Sequence, residues 1–365
     1  MSSNKINVCL IQLAVVPYNF EENKNKIKKY IDKVMALPQK PDIIVLPEMW
    51  NIGFTIHNVD HYCDKDGAQT QQFLSDIAKH HHVVIIGGSV ANYNSKEKIY
   101  QNLNINVDAE GKGLSTYAKV HLFSPSKEDT VFTRGHQYKV TSTTFPNNNN
   151  INNNDNVNDG NNDTQSSSSS LECIFSSVIC YDIRFPEFIR SIALSGLNLK
   201  KELIEKQQQQ QQQLLTNSEK VQGGLDILFV SAAWPYPRLK HWKHLLIARA
   251  IENQCFVVAV NNCGEMDGLT FCGHSLVIDP WGEVLIEGHG PLDESLSVVS
   301  DQENSSNYNE IIEIKDEGEQ PQQQIGQHHA FDEILMTTLS FDILKDIRQR
   351  ICVFNDRFPE VYHCN

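Results

Sequence analysis

Ser177-Val178-Ile179-Cys180-Tyr181-Asp182-Ile183-Arg184-Phe185-Pro186-Glu187 reads as a strand that runs straight into the start of a helix. An apolar run from Ile174 to Ile179, broken by two serines, stops at a cysteine, and Pro186 stands where a helix tolerates proline, in its first turn. A thiol on such an elbow would be held rigidly, point outward and lie near backbone N–H groups that favour thiolate and oxyanion. A buried structural cysteine is the competing reading, since free cysteine is among the most buried residue types. This segment alone does not choose between them.

Two other segments have the same grammar. Asp42-Ile43-Ile44-Val45-Leu46-Pro47-Glu48 is an apolar strand ending in a carboxylate beyond a proline. Tyr117-Ala118-Lys119-Val120-His121-Leu122-Phe123 closes a β-hairpin and presents a lysine among apolar neighbours. A strand-end Glu is by itself a rim or capping group, and a lone Lys a surface residue. Together, Glu48, Lys119 and Cys180 supply a base, a cation and a soft nucleophile, the parts needed for attack on an unactivated carbonyl or nitrile carbon.

In this order, Leu46-Pro47-Glu48-Met49, Tyr117 to Phe123 and Cys180 to Glu187 resemble the carbon–nitrogen hydrolase (nitrilase) superfamily and its Glu-Lys-Cys triad. The resemblance implies Glu48 as general base, Lys119 as oxyanion-stabilising cation and Cys180 as nucleophile. Glu128, nine residues past Lys119, matches the family's second, supporting glutamate; its other reading is a solvated loop carboxylate. A finer likeness is to the ω-amidase branch, which hydrolyses the terminal amide of 2-oxoglutaramate and 2-oxosuccinamate. It rests on Glu48-Met49-Trp50-Asn51-Ile52-Gly53-Phe54, on Trp234-Pro235-Tyr236-Pro237-Arg238, and on His241-Trp242 and the run Leu245 to Gln254 behind them.

The implied chemistry needs neither metal nor organic cofactor. Glu48 takes the thiol proton, Cys180 attacks the ω-amide carbon, Lys119 and the Tyr181 N–H hold the oxyanion, and a thioester follows. A substrate with a distal carboxylate wants a cation. Arg184, Arg238 and Lys240 are candidates, Arg238 first because it follows the Trp234 loop after a core strand. Arg249 and Glu252 read as a structural pair on one helix face. A nitrile or N-carbamoyl substrate, an inert scaffold and a thiol redox sensor are the alternatives. An inert fold needs none of Glu48, Lys119 and Cys180.

Composition sets the frame. The chain has 365 residues, 40% hydrophobic and 21% charged, with no apolar stretch long enough to span a bilayer. The N-terminal run from Ile6 to Val16 is interrupted by Asn7 and Gln12 and reads as a first strand, with no signal peptide. Nine cysteines without a CxxC pair fit a reducing compartment, hence a cytoplasmic enzyme with a mitochondrial fraction left open. His80-His81-His82 and His328-His329 make no zinc pattern with them. The net charge is −14, but Ser300 to Gly326 alone holds seven acids against Lys315. The acidity thus belongs to solvated inserts and excludes a nucleic-acid partner, which needs a basic surface.

Three low-complexity inserts, at about 147–170, 197–224 and 292–327, interrupt one domain spanning 1–365 and read as mobile surface loops. Without Asn147–Ser170 the 61-residue gap from Lys119 to Cys180 falls to 37. Between the inserts, strands at 6–16, 42–46, 83–86, 174–179, 227–230, 256–260 and 334–340 alternate with helices near 22–36, 68–81, 186–194, 241–253 and 341–352. Hairpins follow Glu110-Gly111-Lys112-Gly113 and Asp279-Pro280-Trp281-Gly282. The pattern predicts an α/β fold of two sheets, each under a helical layer; the resemblance names it a four-layer αββα sandwich of the nitrilase type. Phe354, Phe358, Val361 and Tyr362 form an apolar tail without an evident partner in the chain, and the resemblance implies a homodimer built on it.

Overall fold

Strand β1 (Lys5–Ala14) separates the layers by its alternation. Side chains on a strand point to opposite faces in turn. Val8 and Leu10 pack with Phe175, Phe229 and Val258. Cys9, Ile11 and Leu13 pack the other way, against Ile27, Ile31 and Leu74.

The computed structural model describes residues 4–146, 170–211, 223–293, 309–314 and 332–362. The first half runs β1, α1 (Phe20–Met35), β2 (Ile43–Val45), α2 (Val59–Tyr62), β3 (Asp64–Lys65), α3 (Ala68–His81), β4 (Val84–Ile86), β5 (Val90–Asn94), β6 (Ile99–Val107) and β7 (Gly113–Ala118). The second runs β8 (Val140–Pro146), β9 (Ser170–Ile179), α4 (Pro186–Gln211), β10 (Ile227–Ala232), α5 (Leu239–Asn253), β11 (Phe256–Met266), β12 (Leu269–Cys272), β13 (Leu276–Ile278) and β14 (Val284–Glu287). It ends with β15 (Asn309–Ile314), β16 (Asp332–Ser340) and α6 (Phe341–Arg350).

In the first sheet β2 lies parallel between β1 and β4, and β4 and β5 share the edge of β6 opposite β7. β16 runs antiparallel along the other side of β1, and β15 lies outside it. The second sheet has the order β8-β9-β10-β11-β13-β14, with β9, β10 and β11 parallel. The sheets join where Leu13 and Ala14 of β1 pair with Asn262 and Cys263 of β11. On β10, Ile227 and Phe229 face the first sheet, while Leu228 and Val230 pack with Ile189 of α4 and Leu246 of α5. The layers are therefore α1/α3, sheet, sheet, α4/α5, the αββα sandwich expected from the alternation. The two serines that break the run before Cys180 are both satisfied, one on each face of β9. Ser176 donates to the Lys139 carbonyl at 2.8 Å, and Ser177 accepts from Asn106 of the opposite sheet at 3.0 Å.

Several boundaries differ from those the sequence suggests. Helix α4 does not stop at Leu194 but continues to Gln211, because lysine, glutamate, leucine and glutamine are all good helix formers. The acidic tract is not loop throughout: Asn309–Ile314 pairs with β16. Its three isoleucines supply β-branched side chains that the surrounding acids hide from any composition average. Ser170 opens β9. Phe354 is not partnerless, since it is buried against the α4/α5 layer beneath the Arg190 guanidinium. Phe358, Val361 and Tyr362 remain exposed. Residues 147–169, 212–222, 294–308 and 315–331, with them His328-His329, lie outside the described residues. No helix among the described residues is long and apolar enough to cross a membrane.

Candidate active site

Each of the three chemical groups sits just beyond the end of a strand. After β2, Leu46 still donates to the Ile86 carbonyl, and Ser89 donates to the carbonyl of Pro47. The chain then turns through Met49 at φ +48°, its N–H held by the Ser89 hydroxyl at 3.0 Å. Gly88 makes this turn possible: a Cβ there would lie 2.1 Å from the Pro47 carbonyl oxygen. Asn262 donates to the Glu48 carbonyl at 2.8 Å, fixing the residue from the other sheet. Lys119 follows β7, its N–H on the Asn102 carbonyl at 2.9 Å. Cys180 follows β9 at φ +46°, in a short 3-10 turn through Arg184, so the elbow is one turn longer than a direct strand-to-helix step.

These strand ends converge. Lys119 Nζ lies 2.7 Å from Glu48 Oε1 and 2.9 Å from Glu128 Oε2, and all three side chains are fully buried. Glu128 is thus no solvated loop carboxylate; its Oε2 also accepts the Phe123 N–H. Asn102 donates its side-chain amide to Glu48 at 2.8 Å and to Glu128 at 3.1 Å. The Ala233 N–H reaches Glu48 Oε2 at 2.8 Å, and both groups act on the Cys180 thiol.

Burial raises the Glu48 pKa above the usual glutamate value, and Glu128 adds to it against the pull of Lys119. Burial works against the Lys119 charge, but Glu128 and Glu48 outweigh it and hold the ammonium above its ordinary range. Burial and Glu48 together push the Cys180 thiol well up, with Lys119 opposing. The thiol expected to point outward toward helix N–H groups is instead 6% exposed and neutral at rest. Its proton has one acceptor at hand, Glu48.

Above the thiol opens a narrow cleft lined by Phe54, Phe123, Tyr181, Ala233, Trp234 and Pro235, with Arg184 and Arg238 on its wall. The Arg184 guanidinium lies 4.8 Å from the Trp234 ring centroid and 3.2 Å from His241 Nδ1; that of Arg238 lies 5.2 Å from the Phe123 ring. Neither has a carboxylate partner among the described residues. Burial lowers the Arg184 pKa, with Tyr181 opposing and Arg238 adding to it. Lys240 is exposed and does not line the cleft. Arg249 and Glu252 form their ion pair at 2.8 Å, away from it. No cluster of metal-ligating side chains occurs among the described residues.

The residues that sequence reasoning missed are Asn102 and the Ala233 N–H. Asn102, Asn104 and Asn106 recur at every second position of β6, and all are buried. A polar stripe on one face of an otherwise apolar strand is the signal that could have exposed Asn102. A backbone donor leaves none.

The chain belongs to the carbon–nitrogen hydrolase family, whose profile matches residues 7–305; it is a hydrolase of carbon–nitrogen bonds. It is 37% identical over 268 residues to a 2-oxoglutaramate amidase of Bacillus subtilis, covering 73% of this chain and 80% of that one. Among solved structures, a CN-hydrolase superfamily protein of Xanthomonas campestris superposes with a TM-score of 0.65 at 20% identity, over 99% of this chain and 100% of the other. Nit3 of Saccharomyces cerevisiae, of branch 10 of the nitrilase superfamily, gives 0.64 at 19% identity over 95% and 94%.

Proposed function

We propose that the protein is an ω-amidase, releasing ammonia from the terminal amide of a small 2-oxo acid such as 2-oxoglutaramate or 2-oxosuccinamate. The observation that carries this reading is the pairing of a thiol–carboxylate–ammonium cluster with two guanidiniums in the same cleft that have no carboxylate partner among the described residues. Such guanidiniums suit an anionic substrate end, since planar guanidinium binds carboxylate through two parallel hydrogen bonds. The 37% identical relative, named for 2-oxoglutaramate, supports the same substrate class.

Glu48 takes the Cys180 proton as sulfur attacks the amide carbon, and the carbonyl electron pair moves onto oxygen. Lys119 directs two of its three N–H bonds to Glu48 and Glu128, which leaves one for the oxyanion beside the Tyr181 N–H. Glu48 then protonates the leaving nitrogen, the C–N bond breaks and a thioester remains. A water activated by Glu48 repeats the sequence, and sulfur leaves with the proton restored. Glu128 keeps Lys119 charged and in place. Tyr181 and Trp234 form the aromatic walls, with Arg238 and Arg184 at the substrate carboxylate. We further infer a homodimer, with the exposed Phe358, Val361 and Tyr362 at its interface.

Ammonia release from 2-oxoglutaramate, measured beside Cys180→Ala and a panel of nitriles and N-carbamoyl compounds, tests the reading. Turnover of the oxo-amide that vanishes in the variant is the expected result. Turnover of a different panel member alone overturns the substrate but keeps the cluster. Silence throughout returns the protein to a scaffold or redox role.

A further inference from the structure

Asp182, two residues past Cys180, is fully buried and has no role in the chemistry above. Four donors converge on it. Its Oδ2 accepts the Tyr117 hydroxyl at 2.7 Å and the Ile179 N–H at 2.9 Å. Its Oδ1 accepts the His121 N–H at 3.1 Å and lies 2.8 Å from His121 Nδ1. The Tyr117 hydroxyl in turn accepts the Val120 N–H at 3.1 Å. One carboxylate therefore grips the backbone immediately before Cys180 and, directly or through Tyr117, the two residues immediately after Lys119.

Two features show that this grip is built for geometry. Cys180 adopts the left-handed region at φ +46°, which a non-glycine residue keeps only where its surroundings impose it. The Ile179–Asp182 bond spans that residue and closes the turn around it. The His121 ring, in turn, is stacked on Phe185 with centroids 3.7 Å apart and planes 14° apart, and meets Phe188 edge-on. Its Nδ1 is thereby aimed at Asp182 by packing. The two catalytic side chains come from different sheets, β7 and β9, and a shared carboxylate is a direct way to fix their separation.

We propose that Asp182 is a positioning residue that clasps the Cys180 elbow to the Lys119 turn, with His121 and Tyr117 as its handles. The assignment rests on Cys180 as nucleophile, so its test carries an arm that needs no substrate. Asp182→Asn keeps volume but replaces an acceptor that faces donors with an amide. Per titrated thiol, kcat for 2-oxoglutaramate should fall about 100-fold with KM changed less than about threefold, the pattern of a misplaced nucleophile. Alkylation of Cys180 by iodoacetamide should slow about tenfold in the same protein, since the carboxylate that takes its proton is no longer in register.

His121→Ala should lower kcat about tenfold, and His121→Asn, whose amide donates near the Nδ1 position, should recover most of that loss. A purely structural role would lower the fraction of folded enzyme without this rescue. These variants, with Tyr117→Phe, decide the matter if Asp182→Asn does not fold. Unchanged kcat per thiol in His121→Ala, or a change confined to KM, overturns the clasp. Ammonia release that survives Cys180→Ala would sink the nucleophile assignment instead, while the alkylation arm still reports on Asp182.

Discussion

The backbone N–H of Ala233 lies 2.8 Å from Glu48 Oε2 and also faces the Cys180 thiol. In the proposed reaction one fixed dipole would serve both ends of the first proton transfer, the carboxylate before it and the thiolate after it, with no reorganisation of the N–H as the proton moves.

The acid limb of kcat/KM should report Glu48. Burial raises its pKa, so the base is lost as pH falls through a value above the ordinary 4.5. Asn102→Ala removes a donor to the carboxylate and should move that limb further up. A limb at or below 4.5 in the wild type would contradict Glu48 as the base.

Lys119→Met leaves two buried carboxylates facing each other without a cation. Breaking a buried pair in this way costs about 3–5 kcal/mol. Urea melts should show that deficit near neutral pH and a smaller one once pH falls through the raised Glu48 pKa, where that carboxyl takes up a proton. A deficit independent of pH would mean that the charges are not what Lys119 balances.

Arg184→Met and Arg238→Met should separate binding from chemistry. For a 2-oxo acid amide, KM should rise about 10- to 100-fold, the loss of one or two charge-assisted bonds, with kcat nearly preserved. A neutral short-chain amide should be unaffected. Equal losses on both substrates would place the guanidiniums in the scaffold.

Buried thiols predict an alkaline weakness. Burial pushes Cys255 up to about 12, and burial likewise raises Cys9. In the unfolded chain these groups ionise near the ordinary value of 9.0. Their contribution is complete below that pH and is lost as pH rises toward the folded value, because only the folded state keeps the proton. Thermal melts should show Tm falling above pH about 9, less steeply in Cys255→Ala.

The parallel strands and outer helices were legible because the apolar runs of β1, β2 and β10 and the 3.6-residue stripes of α1 and α3 are local signals. Glu48, Lys119 and Cys180 were legible as three strand-end groups in order. Their convergence with Asn102 was not, because the contacts span 54 and 71 residues of sequence and join the ends of strands that are not neighbours in the chain. The environment of Cys180 was misread for a related reason. The elbow motif describes the turn, whereas what keeps the thiol protonated is burial and then Glu48, which is remote in the chain. The continuation of α4 past Leu194 and strand β15 escaped because glutamine runs and acidic tracts mark composition and say little about backbone conformation.

Strand β15 has a practical consequence. It is the outermost strand on its side of the first sheet, and it covers the edge of β16 from Asp332 to Thr337. Trimming the acidic tract as a disposable insert would strip that cover and leave a row of unpaired backbone groups among Ile334, Leu335 and Met336. Such an edge invites other chains, so a shortened protein would be expected to fold and then clump. Anyone streamlining this chain should cut on either side of Asn309–Ile314 and splice that strand back in.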